Sequence, residues 1–281
     1  AESGGSVSGG GSYGYGTNAT ITATPDAGYS FIGWSGTGVS DASAASTTVS
    51  MTSDRSVSAS FSSNWHTLSL SAGSGGSVSG GGSYGYGTNA TITATPDAGY
   101  SFIGWSGTGV SDATARSTTV SMTSDRTVSA SFSLNSHILT LSTGSGGSVS
   151  GGGSYRYGTN ATITATPDAG YSFIGWSGTG VSDATASSTT VSMTSDRTVT
   201  ASFSLNSHIL TLSTGSGGSV SGGGSYRYGT NATITATPDA GYSFSGWSGT
   251  GVTDATASST TVSMTSDRSV TASFSLNSHI L

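Results

Sequence analysis

Read only for hydrophobic and polar positions, the chain predicts strands and turns. His66-Thr-Leu68-Ser-Leu70-Ser-Ala72 alternates with period two, which puts Leu68, Leu70 and Ala72 on one sheet face. Gly73-Ser-Gly-Gly76 then offers a turn that tolerates positive φ, and Ser77-Val78-Ser79 resumes extended structure, so a hairpin is expected. Gly80-Gly-Gly82 breaks it. Ser83-Tyr84-Gly85-Tyr86 sets two rings on one face, and Ala90-Thr-Ile92-Thr-Ala94-Thr95 alternates again. Pro96-Asp97-Ala98-Gly99 is a turn, because proline presets φ and glycine accepts the left-handed region. Tyr100-Ser-Phe102-Ile-Gly104-Trp105 is too apolar for a one-sided strand and is expected to run through the centre of the unit, with Gly104 at a bulge. After the polar loop Ser106–Ser117, Thr119-Val120-Ser-Met122 and Thr127-Val128-Ser-Ala130-Ser-Phe132 alternate around Thr123-Ser-Asp125-Arg126, the pattern of a final hairpin. No segment carries a 3.6-residue apolar stripe. The unit is all-β.

That unit recurs every 71 residues: Trp34, Trp105, Trp176 and Trp247 occupy one column, and Asp26, Asp97, Asp168 and Asp239 another. Residues 137–207 and 208–278 differ at three positions, Ile174/Ser245, Ser182/Thr253 and Thr198/Ser269. The expected architecture is four tandem small β domains: residues 1–63, which lack the first strand, then 64–134, 135–205 and 206–276, with 277–281 beginning a further strand. Only six residues separate Phe132 from the strand at Leu139, and Leu134 and Ile138 are among them. This is too short and apolar for a free tether, so neighbouring units should touch. Each unit would be roughly 30 Å across, giving a rod of roughly 110–140 Å. A unique active site gains nothing from four copies, whereas reach and multivalent contact grow with copy number.

Composition narrows the function. Seven arginines, no lysine and thirteen acids leave a net charge of −6, too acidic for a phosphate-tracking surface, so nucleic acid is excluded as a partner. No apolar stretch approaches the roughly 20 residues of a membrane span, so no membrane insertion is expected. No signal peptide is visible, and Ala1-Glu2-Ser3 fits a mature terminus left by signal cleavage. There is no cysteine, which fits an extracellular protein built without disulfides but also suits the cytosol. Stability must therefore come from packing of the aromatic and aliphatic residues.

The run from Tyr86-Gly87 through Ala94-Thr95-Pro96-Asp97-Ala98-Gly99-Tyr100-Ser-Phe102-Ile-Gly104-Trp105, closing with Thr127-Val-Ser-Ala130-Ser-Phe132, resembles the divergent branch of the internalin B-repeat family. The resemblance covers every repeat. It implies a small β-rich, β-grasp-related module found in tandem on bacterial surface and secreted proteins. It further implies that the motif's aromatics are structural: Tyr29, Phe31 and Trp34, Tyr100, Phe102 and Trp105, Tyr171, Phe173 and Trp176, and Tyr242, Phe244 and Trp247 are expected in the cores.

Candidate chemistry is sparse. Serine, histidine and aspartate occur in every repeat, but His66, His137, His208 and His279 fall at junctions, where packing or exposure explains them. Asp97, Asp112 and Asp125 are isolated acids rather than a calcium-ligand run, so turn capping is the expected role. Asn18, Asn89, Asn160 and Asn231 open Asn-Ala-Thr sequons, read as strand starts, since a bacterial setting makes the sequon accidental. Lysine and glutamine are both missing, which removes amide and ester side-chain cross-links as a source of stiffness. Glycine-rich runs such as Gly80-Gly-Gly82 lack the lysine and helix of a phosphate loop. No cofactor or metal is called for. The pairs Tyr13/Tyr15, Tyr84/Tyr86, Tyr155/Tyr157 and Tyr226/Tyr228 are candidates for a glycan- or protein-binding strip. Thr91-Ile-Thr93-Ala-Thr95 raises ice binding, a weaker reading because a 71-residue period does not stack as a flat solenoid. The leading expectation is a non-enzymatic extracellular stalk or filament on a bacterial surface. A head-to-tail fibre is an added expectation, in which residues 276–281 of one chain supply the strand that Ala1-Glu2-Ser3 leaves the first repeat without.

Overall fold

The computed structural model describes residues 3–278, and the expected roles of Ala1, Glu2 and residues 279–281 lie outside that range. The chain divides into two units, 1–135 and 136–281, each holding two repeats. Among the described residues every regular element is a strand.

The second repeat shows the complete pattern. Its strands are β1 (Trp65–Ala72), β2 (Gly76–Ser79), β3 (Gly82–Gly85), β4 (Asn89–Pro96), β5 (Tyr100–Gly107), β6 (Ser117–Ser121) and β7 (Arg126–Leu134). They form two sheets. One is a three-stranded antiparallel sheet in the order β2-β4-β6. The other is mixed, in the order β3-β1-β7-β5, with β1 and β7 parallel at its centre. Leu68 from β1, Ala90, Ile92 and Ala94 from β4, Trp105 from β5, Val120 from β6 and Val128 and Ala130 from β7 are buried together with Met122 between the sheets. Period two explains the selection, since each strand turns alternate side chains inward. The third and fourth repeats repeat this core residue for residue.

Three expectations are corrected. Ser77–Ser79 does not form a hairpin with β1, and Val120 and Val128 do not sit in one hairpin, because β2 and β6 both pair with β4 in the opposite sheet. Alternation shows which face is buried but not which strand is the neighbour, and parallel pairing of β1 with β7 is invisible to it. Nor does the Tyr100–Trp105 strand run through the centre: β5 is an edge strand. Its apolar character comes from Trp105, buried at 6 % exposure, and half-buried Phe102, while Ile103 faces outward. The expected bulge is present, with the register slipping between Phe102 and Gly104.

Aromatic placement is likewise graded. Trp34, Trp105, Trp176 and Trp247 are core residues. Phe31, Phe102, Phe173 and Phe244 pack against them from a half-buried position, with ring centroids 5.5–5.8 Å from the indoles. Tyr29, Tyr100, Tyr171 and Tyr242 lie at the rim, each over a glycine of the first turn, Gly4, Gly75, Gly146 and Gly217. A Cβ at Gly75 would fall inside the Tyr100 ring, and its φ of +97° already selects glycine.

The first repeat has strands Gly5–Ser8, Asn18–Pro25, Tyr29–Gly36, Ser46–Ser50 and Val57–Ser63. Its second sheet is the pair Tyr29–Gly36 with Val57–Ser63. Among the described residues nothing takes the place of β1.

Candidate functional site

The features that recur with most constancy meet where one repeat hands over to the next, and the structure assigns the paired tyrosines two separate tasks there. The strand bearing Tyr84 ends at Gly85, and Gly87 turns with φ +78°. Period two therefore lapses before Tyr86, and the expected one-sided strip does not form. Tyr84 packs on its own repeat's core and its hydroxyl donates to the Gly80 carbonyl at 2.8 Å. Tyr13, Tyr155 and Tyr226 donate in the same way to Gly9, Gly151 and Gly222 at 2.7 Å.

Tyr86 reaches back to the first repeat. Its ring covers Gly28, where a Cβ would collide with it, and its N–H donates to the Asn64 carbonyl at 2.8 Å. Asn64 is fixed in turn: its N–H donates to the Gly28 carbonyl at 2.7 Å and its Oδ1 accepts from the Ser30 hydroxyl at 2.6 Å. His66 stands beside the tyrosine, tilted to it with 6.1 Å between ring centroids. The second unit reproduces the clasp. Tyr228 covers Gly170 and donates to Asn206 at 2.9 Å, and Asn206 donates to Gly170 at 2.8 Å and accepts from Ser172 at 2.7 Å. Asn135 and Asn277 make the same bonds to Gly99 and Gly241. Sequence reading missed the asparagine and the glycine, although Asn64, Asn135, Asn206 and Asn277 recur at the 71-residue period. Tyr157 stands beside His137 at 6.1 Å. Tyr15, in the first repeat, is 86 % exposed.

The junction histidines also meet an acid that the sequence separates by 59 residues. His66, His137 and His208 place Nδ1 3.3–3.5 Å from Oδ1 of Asp125, Asp196 and Asp267. The same oxygen accepts the backbone N–H of Thr67, Ile138 or Ile209 at 2.8–2.9 Å. That backbone bond first, and the histidine after it, hold the Asp196 and Asp267 carboxyls below the ordinary range. The pair has the geometry of half a hydrolytic triad, but its acid is exposed, and among the described residues no serine hydroxyl bonds the imidazole. It pins the start of the strand.

Asp112 acts as the sequence led one to expect of a turn acid. Its Oδ1 accepts from the Thr114 hydroxyl at 2.7 Å and from the Thr114 and Ala115 N–H groups, which lowers its pKa, as at Asp41, Asp183 and Asp254. The loop so held covers the core tryptophan, whose indole N–H donates to the Ala115 carbonyl at 2.9 Å. A carboxyl with a depressed folded pKa adds stability above its unfolded value of about 4 and loses it as pH falls through the folded value. Thermal unfolding should therefore be level from neutral pH down to about 4 and drop below it. Replacing Asp112, Asp183 and Asp254 by Asn should flatten that drop, and an unchanged acid profile would remove the turn from the account.

Compared with known proteins, the chain matches the family model described as the divergent InlB B-repeat domain four times, over residues 1–65, 66–136, 137–207 and 208–278. These bounds fall two residues beyond those read from the strand pattern. No curated protein matches. Among solved structures, the Bacillus anthracis TIE protein aligns with a TM-score of 0.36 and 8 % identity, over 97 % of this chain and 60 % of that one. The chain thus spans about three fifths of that structure's length.

Proposed function

From the premise that this chain belongs to the divergent InlB B-repeat family, we propose that it is a non-enzymatic structural array, a stalk or filament module at a bacterial surface. Repeats of this type are typical of bacterial surface proteins. The observation that carries the reading is the clasp: Tyr86 on Gly28 and Tyr228 on Gly170 are the same junction built twice. A chain whose recurring side chains are spent on joining one copy to the next is organised for reach. The polar groups support this, since Arg126 is tied to Ser121, Thr108 and Thr123 and Asp112 to its own loop, all within one repeat.

Small-angle scattering tests the reach. The maximum dimension is expected at roughly 110–140 Å, and it should shorten by roughly 30 Å for each repeat removed. A dimension that barely changes with repeat number would defeat the stalk reading. The rival is multivalent binding of a glycan or surface protein through the repeated tyrosine pairs. A glycan-array signal that rises with repeat number would favour it.

A further inference from the structure

The second repeat differs from the third and fourth at one place on its surface. Trp65 opens β1 and is the tryptophan that stands outside the 71-residue period. It is 67 % exposed, whereas Trp34, Trp105, Trp176 and Trp247 are buried. Ser136 and Ser207 take its place in the later repeats. The strand opposite changes with it: Trp65 pairs with Gly85 of β3, where Ser136 and Ser207 pair with Arg156 and Arg227. Glycine leaves the indole without a side chain across the ladder, so the ring is free to take one from outside.

One step along the sheet lies a polar row. Thr67 pairs with Ser83, both exposed, and the Thr67 N–H donates to Oδ1 of Asp125 at 2.8 Å. The Asp125 side chain is 79 % exposed. Residues two apart on a strand share a face, so the Thr67 and Ser83 hydroxyls stand beside the indole, roughly 7 Å along the strands from it. In the third and fourth repeats Ile138 and Ile209 interrupt the same row, between Ser154 and Asp196 or Ser225 and Asp267. The open ring and the unbroken polar row therefore occur together in the second repeat and in neither of the two that follow it.

We propose that this face of the second repeat binds an uncharged pyranose of a glycan, with the apolar C–H face of the sugar on the Trp65 indole and its hydroxyls on Thr67, Ser83 and the Asp125 carboxylate. A sugar ring is apolar on its faces and polar at its rim, and a flat aromatic flanked by hydroxyls and a carboxylate acceptor presents the complementary surface. Charge selects the neutral sugar. An acidic one would meet the Asp125 carboxylate on a chain of net charge −6, at the position where Gly85 replaces the arginine of the later repeats. The site is single and built on Trp65, so it is separate from binding through the tyrosine pairs, and it stands whether or not the chain is a stalk.

Saturation-transfer NMR on the 281-residue chain tests it, with the methyl β-glycosides of glucose, galactose and N-acetylglucosamine as neutral probes and that of glucuronic acid as the charged one. At least one neutral glycoside should saturate the signal in the millimolar range, and the glucuronide should bind about tenfold more weakly or worse. Trp65→Ser, Thr67→Ile and Gly85→Arg each install the residue that the third and fourth repeats already hold, and a Cβ at Gly85 meets ordinary contacts only, 3.6 Å from the Ser63 hydroxyl oxygen. The three variants should therefore keep the parent's melting profile. Trp65→Ser should abolish binding, and the other two should weaken it by about tenfold. No saturable signal from any neutral glycoside, equal binding of the glucuronide, or binding that survives any of the three substitutions overturns the proposal.

Discussion

Trp105→Ala is expected to cost the second repeat about 3–5 kcal/mol, the range for removing a large aromatic side chain from a packed core. Trp105 is 6 % exposed among Leu68, Ile92, Val120, Met122 and Val128, and its indole N–H holds the covering loop through the Ala115 carbonyl. A domain of this size has total stability toward the low end of about 5–15 kcal/mol, so the loss should melt the repeat or nearly so. Damage should spread to the first repeat through the Tyr86 clasp and spare the distant fourth repeat, residues 208–278, because arrays couple chiefly to neighbours. Hydrogen exchange read by mass spectrometry resolves this: peptides within 76–134 should lose protection and those within 207–278 keep it. Trp65 supplies the control. It is 67 % exposed, and Trp65→Ala should stay within about 0.5 kcal/mol. Equal effects of the two substitutions would refute the core assignment.

Those two tryptophans also show what could be read from the sequence. Trp105 recurs in every repeat and Trp65 in none of the others, and the recurrent one is the core residue. Alternation likewise identified Leu68, Ile92, Val120 and Val128 as inward. It could not supply the pairing, since the parallel contact of Leu68 with Arg126 spans 58 residues and follows from how two sheets close over one core. The junction was half legible. Tyr86 stood out as a recurrent ring, but its target Gly28 has no side chain to leave a hydrophobic signature, and Asn64 is polar in a polar chain. The His66–Asp125 pair was hidden for the same reason as the pairing, being set by strand register rather than by local spacing.

Gly170→Ala is the substitution that isolates the junction. Gly170 has φ +79°, where an L side chain costs about 1–2 kcal/mol, and its added methyl would strike the Tyr228 ring. Gly241 occupies the same Pro-Asp-Ala-Gly turn with φ +86° but has open space around it. Gly241→Ala in dilute solution therefore reports backbone strain alone, and Gly170→Ala reports strain plus eviction of the ring, expected to total about 2–3 kcal/mol. Denaturant unfolding should show repeats three and four separating into two transitions in Gly170→Ala and remaining together in Gly241→Ala. Adding Tyr228→Ala to Gly170→Ala closes a double-mutant cycle, in which the two losses should fall short of additive because the ring is already displaced. If Gly170→Ala and Gly241→Ala cost the same and the cycle is additive, Tyr228 does not join the repeats, and the mechanical reading loses the observation on which it rests.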